Sequence, residues 1–310
     1  MKCYSLFGDS MKRLFISKKR RRKGRILFFL FMVILGILFS YQKLEKSRIK
    51  VTNKEFVQYI TKYAFQEDRF LDRVVEKTLQ ISNPVKLMNQ NYQKYLSMTV
   101  PVESKESFTP IIYLYNTHQT EEYAPSTYAE FSVNPTVIMN NYILEDIFNK
   151  NGYLTVVEEE SVPNILKEKG WNYAGSYKAS RILMEKKKET YPSLKYFIDI
   201  HRDSLEKEKT TITIEGKDYA KILFIVGLEN PKYSENLEFT ERIHQKMNEY
   251  YPELSKGIYQ KSGYGVNGIY NQDFSPTTIL IEIGGYENTT VEILNSSLAF
   301  ARCFMEVIHE

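Results

Sequence analysis

Residues 111–123 have the sequence IIYLYNTHQTEEY, an apolar and aromatic run that ends at a histidine and two glutamates. Branched and aromatic side chains in such a run are typical of a strand that is covered on both faces. We therefore predict a buried strand that ends near Tyr115 and places His118 just past its carboxyl end. In open α/β sheets, functional sites form at this edge.

The spacing of His118 and Glu121 makes this edge a candidate metal site. A lone histidine near a strand end is more often a hydrogen-bonded structural residue than a ligand. However, His-x-x-Glu in a turn can aim an imidazole nitrogen and a carboxylate oxygen at one point. Zinc accepts this mixed set of ligands and keeps a position open for water. A third ligand is still needed.

Two further apolar stretches also predict strands that carry chemically active residues. Residues 196–203 (YFIDIHRD) predict a strand that supplies His201 as the third ligand. Residues 278–285 (TILIEIGG) predict a strand in which Glu282 is the single carboxylate of an apolar run. Burying a charge costs several kcal/mol unless it is paired. Glu282 is therefore the strongest candidate for a general base.

The order of the predicted elements indicates an α/β fold with a mainly parallel sheet flanked by helices. Helical periodicity predicts the intervening helices at residues 137–150, 177–189 and 234–251. In such a sheet the three strands end on one side, so one site can gather His118, Glu121, His201 and Glu282. Residues 263–273 are rich in Gly, Asn and Tyr and predict a loop long enough to cover a cleft.

Neighbouring groups extend this candidate site. Arg202, or a backbone N–H of Gly284 or Gly285, can stabilise the oxyanion of a tetrahedral intermediate. Asp199 and Asp203 lie on either side of the histidine in their strand and are candidates for orienting its ring. The acidic run at residues 158–160 is expected to be a solvated stretch of loop, with the alternative that one of these acids approaches a nearby site.

Positive charge is concentrated at the amino terminus. The formal net charge is +4, but residues 1–25 carry ten Lys or Arg and one Asp, which leaves about −5 for all later residues. Binding of phosphate groups needs positive charge on the folded domain. We therefore exclude nucleic acid as the partner.

Residues 26–41 contain no charged side chain and predict a transmembrane helix. At about 1.5 Å per residue it spans roughly 24 Å, and Arg25 and Lys43 can reach the interfaces. An uncleaved anchor is favoured over the alternative of a signal peptide, because no small-residue cleavage site follows it. The basic cluster at residues 18–23 predicts a cytoplasmic tail of residues 1–25, with the rest of the chain outside.

The rest of the chain divides into two predicted parts. Residues 42–108 are expected to form a helical stalk and a linker, because helical periodicity gives way to a polar stretch before residue 109. Residues 109–310 are expected to form the catalytic α/β domain. The predicted topology separates Cys3 from Cys303, so they cannot pair, and Cys303 is expected to be a buried apolar residue.

Four blocks of sequence resemble the stage II sporulation protein P amidases of endospore-forming bacteria. They are YNTHQTEEY at 115–123, YFIDIHRDS at 196–204, YNQDFSP at 270–276, and IEIGG at 281–285 with Asn288-Thr289. The resemblance covers roughly residues 110–309. It implies a fold similar to that of other cell-wall zinc amidases and of zinc carboxypeptidases.

The resemblance also implies an activity and partners. The activity is that of a zinc N-acetylmuramoyl-L-alanine amidase that remodels septal peptidoglycan during engulfment. His118 and His201 match the family's zinc ligands, and Glu282 matches its catalytic acid/base. Glu121 matches the acid of the family's His-x-x-Glu block and is the candidate for the remaining ligand. Gln119 and the extra acid Glu122 depart from the family pattern, so Glu121 and Glu122 remain alternatives as the metal ligand. The implied partners are the lytic transglycosylase stage II sporulation protein D and the membrane protein stage II sporulation protein M.

Two other functions compete with this one. A zinc carboxypeptidase or endopeptidase acting on wall peptides would use the same ligands and base. A carboxypeptidase would also need a cation for the terminal carboxylate of its substrate, and Arg202 is the obvious arginine beside the motifs. A catalytically silent septal scaffold would be expected to have lost a motif residue, and none is missing.

Overall fold

The computed structural model describes Met32 and residues 52–64, 109–123 and 135–310. The predicted tail (1–25), the predicted anchor (26–41) apart from Met32, Cys3 and most of the predicted stalk (42–108) lie outside the described residues. Among the residues that are described, no helix is long and apolar enough to cross a membrane.

Strands and helices alternate along much of the described chain. The strands are β1 (Ile112–Tyr115), β2 (Thr155–Val157), β3 (Tyr196–Asp203), β4 (Thr211–Ile214), β5 (Lys217–Ala220), β6 (Ile222–Gly227), β7 (Ser255–Lys261) and β8 (Thr278–Gly285). The α-helices are α1 (Asn53–Ala64), α2 (Ile138–Lys150), α3 (Val162–Lys169), α4 (Ser176–Thr190), α5 (Lys207–Thr210), α6 (Tyr233–Tyr250) and α7 (Thr290–His309).

Six of these strands form one mixed sheet, in the order β2-β1-β3-β8-β6-β7. The pairs β2–β1, β1–β3 and β3–β8 are parallel, whereas β6 runs antiparallel to β8 and parallel to β7. The prediction of a mostly parallel sheet flanked by helices is confirmed. The strand that precedes His118 and the strands that carry His201 and Glu282 are adjacent and parallel, so their carboxyl ends meet at one edge.

Helices cover both faces of the sheet. On one face, helix α4 packs on β1 and β3 through a cluster made of Tyr113, Tyr115, Met184, Leu194 and Phe197. On the other face, aromatic rings of β3, α2, α6 and α7 pack together, namely Tyr196, Phe148, Phe239, Phe300 and Phe304. Successive strand residues point to opposite faces, so β1 is buried on both sides, as predicted. All four of its side chains are at most 1% exposed.

The difference in length between β1 and β3 creates room for a site. Tyr115, the last residue of β1, pairs with Asp199, and β3 continues past this point. Asn116 fixes the position where the chain leaves β1, because its Nδ2 donates to the carbonyl of Ile200 at 2.6 Å. Its Oδ1 accepts from Nδ2 of Asn141 at 2.6 Å. The turn that follows β1 therefore lies beside the last residues of β3.

The acidic run after β2 differs from its prediction at one residue. Glu158 is 2% exposed, accepts a hydrogen bond of 2.5 Å from the hydroxyl of Tyr113, and lies 3.5 Å from Nζ of Lys187. These partners compensate the cost of burying its charge. The prediction of a solvated run is therefore wrong for Glu158, whereas Glu159 and Glu160 are exposed.

Two elements outside the sheet bear on other predictions. Helix α1 lies in the region predicted as a stalk; it packs against α2, and its Phe56 and Val57 are buried. The domain boundaries themselves stay predictions.

Cys303 on α7 is free and fully buried, as expected for an apolar packing residue. Burial raises the pKa of its thiol to about 12.

Candidate active site

His118, Glu121 and His201 meet at the edge where β1 and β3 end. The carboxylate of Glu121 lies between the two imidazoles: its Oε1 is 3.4 Å from Nδ1 of His118, and its Oε2 is 3.5 Å from Nδ1 of His201. One potential ligand atom from each of the three residues lies within 4.8 Å of the others. Two imidazoles and one carboxylate are a set that binds zinc in catalytic sites. These residues therefore fit the ion that the sequence predicts.

Glu121 and Glu122 point in different directions. The Glu122 side chain is exposed, and its backbone pairs with Thr136 in an isolated β-bridge. Glu121 instead accepts a hydrogen bond of 3.0 Å from the backbone N–H of Arg202. Burial tends to raise the pKa of Glu121, but its bonds to the two imidazoles outweigh burial and lower that pKa to about 2. The geometry therefore favours Glu121 as the third ligand.

His201 is held from behind by a buried carboxylate. The ring is 4% exposed, and its Nε2 lies 3.0 Å from Oδ1 of the fully buried Asp199. Burial lowers the pKa of His201, but the charges of Asp199 and Glu121 outweigh it and raise the pKa to about 10. A carboxylate behind a ligating histidine fixes the ring and its tautomer. Asp199 is in the position predicted for this role, whereas Asp203 pairs with Lys256 at 2.6 Å.

A buried chain of polar groups continues from Asp199. Thr117 donates to it twice, from the backbone N–H at 2.8 Å and from Oγ1 at 2.7 Å. Thr117 Oγ1 also lies 2.8 Å from Oγ of Ser180 on α4, and Nδ2 of Asn271 donates to that serine at 3.0 Å. The chain ties β3, the turn after β1, α4 and the loop before β8 together. Thr117 lies within the first motif block, but nothing in the sequence predicts this role for it, and Ser180 belongs to none of the blocks.

His118 is held by aromatic rings. It stacks on Tyr173 with ring centres 4.6 Å apart, and it meets Tyr177 edge to face at 5.6 Å. Its ring also lies 5.0 Å from that of His201. Tyr173 precedes α4 and is 59% exposed. Neither tyrosine could be predicted from the sequence, because both lie more than fifty residues from His118 and belong to none of the motif blocks.

Glu282 lies next to His201 in the sheet. The two residues are direct partners in the parallel β3–β8 pair, and such partners point to the same face. Burial raises the pKa of Glu282, and the nearby Asp203 raises it further, against the opposing effect of Lys261. A carboxyl group whose pKa is raised toward neutrality is better suited to exchange protons during catalysis.

The glycine pair after Glu282 does not have the role predicted for it. The N–H of Gly284 donates to the carbonyl of Lys221 at 2.9 Å, and the N–H of Gly285 donates to Oδ1 of Asn288 at 2.7 Å. Neither N–H is free to stabilise an oxyanion, so that prediction is wrong. Gly284 has φ of +65°, and a Cβ there would lie 2.6 Å from Asn288 Oδ1. The pair lets the chain pack against itself at a β-bulge.

The guanidinium group of Arg202 is partly engaged. Its Nε donates to the carbonyl of Glu122 at 2.6 Å, and its Nη1 donates to the carbonyl of Asp203 at 3.2 Å. The group also lies 5.5 Å from the centre of the Tyr286 ring. A guanidinium has five N–H donors, so these two bonds leave others for a ligand.

Comparison with solved structures finds similarity to several chains, among them two amidases. N-acetylmuramoyl-L-alanine amidase AmiC2 of Nostoc punctiforme is 11% identical with a TM-score of 0.37, over 64% of this chain and 98% of that one. The CwlD amidase from Clostridioides difficile, solved in complex with the GerS lipoprotein, is 12% identical with a TM-score of 0.41, over the same shares. Similarity at this level carries no conclusion about activity.

Comparison of sequences identifies the family. The sequence model described as Stage II sporulation protein P matches residues 38–305. Stage II sporulation protein P of Bacillus subtilis (strain 168) is 32% identical over 234 residues, which make up 73% of this chain and 58% of that protein. The chain thus spans somewhat more than half the length of this relative. On the family match over most of its length, this chain belongs to the stage II sporulation protein P family.

Proposed function

We propose that this chain is a membrane-anchored zinc N-acetylmuramoyl-L-alanine amidase that cleaves septal peptidoglycan between glycan and stem peptide during sporulation. The observation that carries the proposal is the convergence of His118, Glu121 and His201, with Glu282 on the neighbouring strand. Membership of the family supports a cell-wall hydrolase role in sporulation.

Each residue has a distinct role in this proposal. His118, Glu121 and His201 hold zinc, which supplies Lewis acidity for hydrolysis of an amide when bound. The carboxylate of Glu282 accepts a proton from the attacking water and returns it to the nitrogen of the leaving peptide. The remaining N–H groups of Arg202 stabilise the negative charge on the carbonyl oxygen under attack.

The location and partners form a second part of the proposal. Residues 26–41 anchor the chain, residues 1–25 lie in the cytoplasm, and residues 109–310 act outside, at the sporulation septum. Stage II sporulation proteins D and M are the proposed partners. Protease added to intact protoplasts should then remove the C-terminal domain. A domain that stays protected would contradict both the topology and the cell-wall substrate.

A zinc carboxypeptidase or endopeptidase acting on wall peptides is the second candidate function. A carboxypeptidase would use the remaining N–H groups of Arg202 as the clamp on a terminal carboxylate, so the products of digestion decide between it and the amidase. A catalytically silent scaffold is less favoured still, because the three candidate ligands converge and Glu282 lies beside them.

Mass analysis of reaction products tests the amidase directly. The detergent-solubilised full chain is incubated with purified peptidoglycan, with the Glu282→Gln variant as the control. An amidase releases whole stem peptides that begin with L-alanine and leaves the glycan strands intact. Release of single amino acids or of cut peptides would point to a peptidase. Hydrolysis that resists chelation, with no zinc bound to the purified protein, would rule out the metal site.

A further inference from the structure

A groove lies beside the candidate metal site, between helix α4 and the loop before β8. It has a volume of about 300 Å³ and is lined by Tyr177, Lys178, Arg181, Asn267, Ile269, Asn271 and Asp273. Tyr177 belongs to both places, because its ring also contacts His118. A molecule in this groove is therefore separated from the candidate metal ligands by one side chain.

The inner wall of the groove is fixed by several contacts. Nδ2 of Asn271 donates to the carbonyl of Tyr177 at 2.9 Å, and the ring of Tyr270 packs edge to face on that of Tyr177 at 5.4 Å. Gln272 ties the same segment to β6: it accepts from the N–H of Gly227 at 2.8 Å and donates to the carbonyl of Ile225 at 2.7 Å. The groove is thus already formed before a ligand binds.

The charges that line the groove do not balance. The guanidinium of Arg181 lies 2.9 Å from Asp273 and 3.1 Å from Glu185, so its charge is compensated. Lys178 is exposed and has no ion pair within the part of the chain that the structure describes. Nδ2 of Asn271 already donates twice, and Oδ1 of Asn267 already accepts twice. The groove therefore offers one uncompensated ammonium group, together with Nδ2 of Asn267 as a donor and Oδ1 of Asn271 as an acceptor.

We infer that this groove binds the acidic stem peptide of the substrate, with Lys178 pairing to a peptide carboxylate. This inference rests on the proposed amidase function. A stem peptide carries free carboxylates for the ammonium group and backbone amides for the two asparagines. The glycan strand offers mainly hydroxyl groups, which would leave the charge of Lys178 unused. Lys178 is thus a specificity-determining residue.

Calorimetric binding to the full-length, detergent-solubilised chain tests the inference without relying on turnover. The probes are the free tetrapeptide stem and the same peptide with its carboxyl groups amidated. Lys178→Glu is compared with Lys167→Glu, which reverses an exposed charge on α3 outside the groove. We expect Lys178→Glu to weaken binding of the acidic peptide by about 5- to 10-fold, since an attraction becomes a repulsion. The amidated peptide and the Lys167→Glu variant should each change by less than about twofold.

The loss should also shrink as salt is added, because exposed charge pairs are screened. Three results would overturn the inference: no binding of either peptide to the wild type, equal binding of both peptides, or equal losses in the two charge variants. The parallel digestion of peptidoglycan separates this inference from the proposed function. If peptidoglycan is digested but Lys178→Glu binds the peptide as the wild type does, only the assignment of the groove is contradicted. If the predicted differences in peptide binding are seen but peptidoglycan is not digested, only the proposed amidase function is contradicted.

Discussion

The two histidines of the candidate site are held in different ways. His201 lies inside β3, is 4% exposed, and is backed by Asp199 and the buried hydroxyls of Thr117 and Ser180. We call these four residues the strand side of the site. His118 lies in a turn, has a side chain that is 19% exposed, and is held mainly by the rings of Tyr173 and Tyr177. These three residues form the turn side.

The candidate ligand His201 belongs to the buried, hydrogen-bonded interior of the fold, whereas the candidate ligand His118 lies near the surface and contacts mainly aromatic rings. A buried hydrogen-bonded group cannot lose its partner without leaving a charge or a polar atom unpaired. Ring contacts near the surface tolerate small movements at little cost. The strand side should therefore couple metal binding to stability, and the turn side should not.

The largest expected difference is between His201→Ala and His118→Ala. Both should lose zinc, to less than about a tenth of an equivalent, because each removes a ligand. Only His201→Ala leaves the carboxylate of Asp199 buried without its cation, so it should lower the free energy of unfolding by about 3 kcal/mol. His118→Ala should cost less than about 1 kcal/mol. Metal analysis and urea unfolding, followed through the fluorescence of the single tryptophan, measure both effects.

The unfolding comparison is made with zinc removed from the wild type and from both variants, since bound metal stabilises the folded state by itself. Equal losses of stability in the two variants would break the distinction between the strand side and the turn side.

Glu282→Gln should separate the base from the ligands. The amide keeps the shape of the side chain but cannot accept the proton, so zinc should stay bound while release of stem peptide falls by about 10²–10⁴. Glu122→Gln is the matched control, because its carboxylate is exposed and should change neither zinc content nor rate. Loss of zinc from Glu282→Gln would make Glu282 a ligand, and loss from Glu122→Gln would reassign the third ligand.

A smaller effect is expected from Asp199→Asn on the strand side. The amide oxygen can still accept one of the two hydrogen bonds from Thr117, but the side chain no longer holds His201 through a negative charge. Zinc affinity should fall by about 10- to 100-fold, the usual effect of removing a carboxylate behind a ligating histidine. Competition with a chelator measures this loss. Asp203→Asn is the control, since its partner is Lys256 and not a ligand; equal losses of affinity would contradict the role of Asp199.

Much of the fold could be predicted because its central strands are buried on both faces. Long apolar runs such as those of β1, β3 and β8 identify strands by composition alone. β7 could not be predicted in this way, because it has no apolar run. It is an edge strand with the sequence SKGIYQK, and an edge tolerates polar and charged residues that weaken the pattern. The hairpin of β4 and β5 could not be predicted either, because its strands are short and its turn is polar.

The candidate ligands could be predicted because they lie near the end of β3 or just past the end of β1, two strands that the sequence already identifies. Asp199 could be predicted as a support because it lies two residues from His201 on the same strand. The supports Tyr173, Tyr177 and Ser180 could not be predicted, because they come from α4 and the turn before it, and only folding brings them to the site. The glycines after Glu282 show a different limit. A glycine pair signals that something approaches the backbone closely, but here Asn288 and the chain itself do so, not a substrate.

The smallest expected effects come from Ser180→Ala and Tyr173→Leu, one on each side of the site. Ser180 is 1% exposed. When its hydroxyl is removed, Thr117 still donates to Asp199, and Asn271 still donates to the carbonyl of Tyr177. Ser180→Ala should therefore lower the free energy of unfolding by only about 1 kcal/mol.

Tyr173→Leu removes the ring stacked on His118 and exposes no buried polar group. The free energy of unfolding should change by less than about 0.5 kcal/mol, while zinc binding weakens by a few fold, about the worth of one ring contact. Urea unfolding of the zinc-free proteins and chelator competition are run on both variants, with Tyr173→Phe as the control that keeps the ring. If Tyr173→Leu loses stability as Ser180→Ala does, or if Tyr173→Phe loses zinc affinity as the leucine variant does, ring contact is not what holds His118.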